Sequence, residues 1–536
     1  MNIVNGLIVF LPLLSIVKFN VPTSHVYIHM RFFCKNYKNI NKKLPGHGKY
    51  NNLVLLTGGL ILLNVSMESV GVSYVISAAE CDLELSSEDK GLVNSSTFIG
   101  IITTSFLWGY LGDRFGRRAV MLPALLASAV LSFMSAFSTS VWMLTALRIA
   151  TGCLVSASSA TVYAYLGEMH VSSRRAAAIA WGSVFISFSF IILPGLAWLI
   201  IPSSWSYMLG PFRIVPWRSF VAIWCLPGLL AAVALFFLPE SPKFVLALKG
   251  PDKALPVLAK MYAVNYNTTI EAFPVKKISA TRDSMTVRSG GFVGAVKNTC
   301  LMFRPPLLKC VVISHLSMFA VFMLASGLYM WVPDILNSIL TNTEQESTTI
   351  CQIIHHKFES TKNFTVNLAI SHYFERTRKV SVSVFPISMG MGAAFSLMYL
   401  AIGAFINKVG KKTLYSAIMI VCGVATIGAA FVPDDITATT LLIVALCAGC
   451  AASILAAIAV DVFPTSLRAM AMCVMYMTGR GGAAVGANLL GSLLDKHCLT
   501  AFTVFGTFSA GSTILMLFWP KADQVREEME DKGLTY

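Results

Sequence analysis

Three ionisable residues stand inside stretches that are otherwise apolar: Glu68 in LLNVSMESVG, Arg148 in TALRIATG and Arg480 in YMTGRGGAAVG. A charge in hydrocarbon is costly, so such residues mark a solute or ion pathway or an internal pair. By helix rise, Glu68 and Arg480 fall near the middle of their segments, and Arg148 about 10 Å from the end of its own. An arginine at that depth can hold the anionic group of a solute. A carboxylate can take a proton or a cation such as Na+ during a transport cycle. The competing reading is a Glu68–Arg480 ion pair that only keeps two parts of the molecule in register. For Arg148 it is packing and hydrogen bonding to carbonyls of a neighbouring helix. Trp108, Tyr163, Trp181, Tyr329, Trp331 and Tyr476 are candidates for stacking on a cargo, although aromatics in such segments more often pack or sit in the interfacial belt.

A second group of charges is short-range and repeated. Gly109 to Arg118 reads GYLGDRFGRR, and Gly403 to Lys412 reads GAFINKVGKK, an offset of 294. Glu168 followed by Arg175 matches Asp461 followed by Arg468 at an offset of 293. A near-constant register linking two different motifs implies duplicated halves, the parallel repeat of transporters that rock two bundles about a central site. Asp113, Arg114, Arg117, Arg118, Glu168, Arg174 and Arg175 fall at one level, and Asp461, Arg468, Lys408, Lys411 and Lys412 at the matching level of the second half. Such a layer suits a latch between halves that forms in one conformation and breaks in the other. Positive charge that merely retains loops on one side is the simpler alternative, but retention does not need the acids. Gly109 and Gly112 are expected to admit a neighbouring helix closely, as are the small residues of Gly479 to Gly486.

The elements that hold these residues follow from composition. The chain of 536 residues is 56% hydrophobic and 12% charged, about half the charged fraction of a soluble domain. Its apolar residues form 12 blocks near 53–78, 91–111, 119–137, 141–166, 177–200, 219–238, 311–333, 382–406, 414–432, 438–460, 469–493 and 500–519. Each is long enough to cross a bilayer as a helix. The fold class is therefore an all-α membrane protein of 12 transmembrane helices in two pseudo-symmetric six-helix bundles. The expected organisation is a disordered or mis-annotated extension over 1–45, a first bundle over 46–238 and a cytoplasmic linker over 239–310. A second bundle over 311–520 carries an external loop at 335–380, and a cytoplasmic tail covers 521–536.

Charge sets the orientation. With both ends on one side, 28 of the 41 Lys and Arg fall on the side of the termini and 9 on the other. Basic excess marks the cytoplasmic face, so both termini are expected in the cytoplasm. The net charge of +15 then needs no nucleic-acid partner; the bilayer is the partner. Of the sequons at Asn64, Asn94, Asn267 and Asn363, only Asn363 lies well out in an external loop where a glycan can be added. Cys81, Cys351 and Cys498 face outside and allow one disulfide, whose pairing the sequence leaves open. His355 and His356 lack metal-ligand spacing. There is no P-loop, GxSxG or HExxH, so neither ATP-driven transport nor an enzyme is indicated, and no cofactor or metal is expected.

GxLGDRFGRR with RIATG, Arg148 to Gly152, resembles the major facilitator superfamily. YLGEMHVSSRR, LPESPKFVL and DVFPTSLRA are similar to its sugar-porter and organic-ion branches. ISAAECDLELSSEDKG (Ile76 to Gly91), Trp205 to Phe220, LYMWVPDIL and LGSLLDKHC resemble the synaptic vesicle glycoprotein 2 family over roughly Gly46 to Lys521. The resemblance implies the major facilitator fold, with the first and eleventh spans at the central cavity, so that Glu68 and Arg480 could face one water-filled space. It also favours Trp331 for cargo contact. The loop at 335–380 is too short for that family's large luminal domain, and Asn407 stands where the first hairpin has Asp113. The function expected is secondary active transport of a small organic solute or ion by alternating access, in the plasma membrane or an intracellular vesicle membrane. The alternative is a transporter-fold membrane protein acting as a binding or trafficking partner.

Overall fold

The computed structural model describes residues 48–528 except 276–299, 342–348, 357–380 and a few positions at 81, 204, 210–211, 301, 464, 521–523 and 526. Among the described residues, twelve helices are disposed to cross a bilayer. They are α1 (Lys49–Ala79), α2 (Ser87–Phe115), α3 (Arg117–Ser135), α4 (Val141–Met169), α5 (Ser172–Ile200), α6 (Pro216–Phe237), α7 (Leu307–Leu340), α8 (Val384–Val409), α9 (Lys411–Phe431), α10 (Asp435–Ala459), α11 (465–496) and α12 (498–517). The last two run on from each other, and the break is at His497, whose φ of −139° and ψ of 47° leave the helical region. Among the described residues nine helical stretches are long and apolar enough to span by composition alone. Counting α11 and α12 apart, then adding the polar α2 and the shorter apolar part of α8, brings the number to twelve.

The sequence blocks were too short at several ends. Helix α2 begins at Ser87, not 91, because Ser86 and Asp89 form a reciprocal capping box that satisfies the first-turn N–H groups. Helix α7 continues to Leu340, and Ile335, Leu336 and Asn337 are buried, so the loop begins later than 335. A π-helical turn at Met323–Gly327 interrupts it. Between α5 and α6, strands β1 (Tyr207–Leu209) and β2 (Phe212–Ile214) form an antiparallel hairpin. The connection after α6 carries helices Pro242–Lys249 and Pro251–Tyr266. Its side of the molecule is called the linker side below, and the opposite one the far side.

The internal repeat has a backbone counterpart. Gly116 between α2 and α3 has φ +113°, and Gly410 between α8 and α9 has φ +91°. These positions are 294 residues apart, the offset of the two motifs. Only glycine adopts such angles at little cost, which is why both tight hairpins keep one there. Close helix packing relies on other glycines. A Cβ on Gly100 of α2 would collide with the Ile149 carbonyl of α4, and one on Gly152 with the Thr97 carbonyl. Gly112 sits 2.5 Å from Thr161 by the same construction, whereas Gly109 faces open space; the expected close approach holds at Gly112 only. Gly479, Gly482 and Gly486 do bring α11 against α7.

Helices α1–α6 and α7–α12 form two bundles. They meet where α2 packs on α11 and α5 on α8, with the end of α1 on α7. Cys351 and Cys498 form a disulfide that ties the short far-side helix before residue 357 to the α11–α12 corner. Cys81 and Asn363 lie outside the described residues, as do 1–47. Asn64 and Asn94 are buried.

Candidate functional site

The intramembrane charges do not pair as the spacing suggested. Glu68 of α1 binds Arg148 of α4, Oε2 to Nη1 at 2.9 Å, and the two side chains are 1% and 0% exposed. Ser132 of α3 donates to the same carboxylate oxygen at 3.0 Å. Arg148 donates from Nε and Nη2 to Ser135 Oγ at 3.2 and 2.6 Å. Trp224 of α6 donates to Ser132 Oγ at 2.8 Å, and its ring lies 5.4 Å from the guanidinium. The pair is thus sealed within the first bundle, and Arg480 is not the partner of Glu68. The physical reason is rotational phase. Glu68 points from α1 toward α3, α4 and α6, whereas the expected common space lies between the bundles.

Arg480 stands apart. It has no carboxylate partner and no hydrogen bond among the described residues, and Tyr163 of α4 with Cys473 and Tyr476 of α11 lie within electrostatic reach. Tyr399 of α8 lies near Cys450 and Tyr476 of the second bundle and Tyr163 of the first, and it is 41% exposed. Cys473 is exposed and lies near Arg480 on its own helix and Asp113 on the other bundle. A side chain flanked by both bundles and still exposed lines a cleft between them. Phe322 of α7 meets Tyr476 edge-on, centroids 6.3 Å apart. The arrangement is a cationic group at mid-depth among phenols contributed by both bundles.

Trp331 and Trp108 pack away from this cleft. Trp331 is 1% exposed and donates Nε1–H to the Ala487 carbonyl at 2.9 Å, so it packs α7 on α11 at the far side. Trp108 donates to the Cys153 carbonyl and packs near Val120, Ala124 and Ala157 within the first bundle. Trp181 is 43% exposed.

The linker-side charges form a network inside the first bundle. Arg117 Nη2 reaches Asp113 at 2.8 Å and Glu168 at 3.3 Å. Arg118 donates to the carbonyls of Leu235 and Phe236, Arg175 to Gly167 and Arg114 to Tyr110; Arg174 is exposed. Ser241 donates to Glu168. Glu240, which the sequence reading passed over inside PESPK, accepts the backbone N–H groups of Arg117, Arg118 and Ala119 at 3.0 to 3.2 Å. It places a carboxylate on the amino end of α3, where the helix dipole favours one. In the second half, Lys411 and Lys412 donate to the Ala457 and Trp519 carbonyls, and Lys408 lies over the Phe405 ring. The side chains of Asp461 and Arg468 lie outside the described residues.

The seam itself is polar on the far side. Tyr74 and Tyr329 share a 3.0 Å hydroxyl hydrogen bond. Asn94 donates to the Met330 carbonyl at 3.2 Å, and the Phe190 ring meets Tyr329 and Phe395. Lys90 bonds Asp334 across the seam. Sequence reasoning counted Lys90 as a loop charge because it precedes the apolar run of α2.

These two bundles, joined by a long connection and closed at one mouth, define a helical transporter fold, and the chain belongs to the Major Facilitator Superfamily, whose family model matches residues 54–346 and 358–533. Among curated proteins it is 31% identical to synaptic vesicle glycoprotein 2A of Rattus norvegicus over 222 residues, 41% of this chain and 30% of that protein. It is 28% identical to synaptic vesicle glycoprotein 2C of Mus musculus over 242 residues, 44% and 33% of the two. The matches thus span about a third of those relatives. The fold resembles the xylose transporter XylE from E. coli in a partially occluded inward open conformation, with TM-score 0.62, 17% identity, and 88% and 100% of the chains covered. It also resembles a bacterial homologue of the human lysosomal transporter Spinster in an inward-facing and occupied conformation, with TM-score 0.61, 12% identity, and 90% and 98% covered.

Proposed function

We propose that the protein is a secondary active transporter that moves a small organic solute through the cleft between its bundles by alternating access. The observation that carries this reading is the position of Arg480, an intramembrane cation without a carboxylate partner among the described residues, at the head of a cleft that both bundles line. An unpaired guanidinium among phenols recognises an anionic group. Arg480 is the solute contact, with Tyr163, Tyr399 and Tyr476 beside it. Glu68 and Arg148 act as a buried ion pair that holds α1 to α4 inside the first bundle. The charge cluster of Asp113, Arg114, Arg117, Arg118, Glu168, Arg174 and Arg175, with Asp461 and Arg468, is the latch that draws the linker side shut in the opposite state. The linker side is cytoplasmic, as the basic excess requires. The Cys351–Cys498 disulfide supports this, because such bonds persist on the extracytoplasmic side.

The test is uptake by reconstituted proteoliposomes of a panel of small carboxylates, neutral sugars and organic cations, with and without an imposed proton or Na+ gradient. Gradient-driven uptake of a carboxylate that Arg480→Ala abolishes supports the assignment. Equal uptake by the variant removes Arg480 from the site.

A further inference from the structure

We infer that Lys90 is the far-side gate of the cleft: an ion-pair lock that holds the two bundles together and releases when that side opens. The inference rests on the alternating-access reading above and gives a role to Glu80, Lys90 and Asp334, which lie in the family-like stretches Ile76 to Gly91 and Leu328 to Leu336 but carried none in the sequence reading. Lys90 lies in the first turn of α2 and is 4% exposed. Its Nζ is 3.4 Å from Asp334 Oδ2 of α7 and 3.3 Å from Glu80 Oε2 at the end of α1. Ser77 of α1 approaches the other oxygen of Asp334 at 3.5 Å. Asp334 belongs to the second bundle, and Lys90, Glu80 and Ser77 to the first.

That division of partners is what makes the pair reversible. A buried ion pair that loses one member strands a charge, which is strongly unfavourable. Here, separation of the bundles removes Asp334 from Lys90 but leaves Glu80 beside it, and the departing Asp334 enters water. No charge is left without compensation on either side. Glu68 and Arg148 form the opposite case: both belong to the first bundle, and a rigid rocking motion leaves their pairing intact.

The surroundings fit a joint that closes tightly and opens as one unit. The Tyr74–Tyr329 and Asn94–Met330 hydrogen bonds also cross the seam, and would part in the same movement. Next to Lys90, a Cβ on Gly91 would stand 3.2 Å from the Ala487 carbonyl, and one on Gly491 of α11 would stand 2.8 Å from the Ser87 carbonyl. The absence of side chains there lets α2 and α11 come close enough for a lysine to bridge to α7.

The experiment measures spin-label distances across both mouths in the full-length protein, with the free cysteines replaced and the disulfide kept. One pair, Glu88→Cys with Lys496→Cys, reports the far side; the other, Phe115→Cys with Val409→Cys, reports the linker side. Lys90→Met and Asp334→Asn are each expected to raise the ratio of far-open to far-closed molecules about tenfold or more, with the population showing the shorter linker-side distance rising by the same factor. Lys90→Arg is expected to keep the wild-type distribution, and the exchange Lys90→Asp with Asp334→Lys, in which a lysine on α7 faces two carboxylates of the first bundle, to return molecules to the far-closed state. Unchanged distances in both single variants, or an exchange that fails to restore a properly folded protein to the closed state, would overturn the lock. Far-side lengthening without linker-side shortening would instead overturn the alternating-access reading on which it rests.

Discussion

Arg148 and Arg480 are both guanidinium groups inside the membrane, yet they must respond differently to the same substitution. Arg148→Met deletes a fully buried partner of Glu68 and both donors to Ser135. Glu68 keeps the Ser132 hydroxyl and the Trp224 indole beside it. Breaking one side of a buried pair costs about 3–5 kcal/mol, which for a bundle of roughly this size is about 6–20 °C in apparent melting temperature. Arg480→Met removes a cation that has no carboxylate partner among the described residues, so it should cost less than about 1 kcal/mol, within the range of changes away from buried networks. It should still abolish uptake. The double change Glu68→Gln with Arg148→Met removes the pair as a unit and should regain much of the loss, because replacing a buried pair by neutral groups is often close to neutral. The assay is thermal unfolding of purified protein by intrinsic fluorescence, alongside proteoliposome uptake. If Arg148→Met melts within about a degree of the wild type, or Arg480→Met falls by as much as Arg148→Met, the division into a structural pair and a solute contact is wrong.

Other consequences follow from single contacts. Glu240→Gln removes the charge that three N–H groups of α3 share and should cost about 1–2 kcal/mol, seen as a melting temperature lowered by a few degrees. Gly100→Val should prevent folding, because its side chain would enter the Ile149 backbone, whereas Gly109→Ala, facing open space, should leave size-exclusion profile and stability unchanged. Peptide mass spectrometry without reductant should recover Cys351 joined to Cys498, and enzymatic deglycosylation should shift the mobility of the wild type but not of Asn363→Gln.

Hydropathy made the number of spans and the two-bundle fold legible, because twenty apolar residues in a row have few other uses. The 294-residue register of the two motifs anticipated the matching hairpins at Gly116 and Gly410. Partners were harder to read. Glu68 was placed at the right depth, but its partner depends on which face of α1 it occupies, and α1 is apolar nearly all round, so no periodicity reveals that face. Trp331 was singled out by the family-like stretch around it, which turned out to mark helix packing at the far side. Lys90 was overlooked because a basic residue just before an apolar run looks like a loop charge; the Ser86–Asp89 capping box was the signal that the helix had already begun.

The central claim is that the far side must open for a solute to pass. It can be tested by replacing Tyr74 and Tyr329, whose hydroxyls meet at 3.0 Å, with cysteine and bridging them with a bifunctional thiol reagent. The bridged protein is predicted to lose uptake, to regain it when the bridge is cleaved, and to keep Cys473 reactive from the linker side throughout. Uptake at the unbridged rate with the bridge intact would contradict the account.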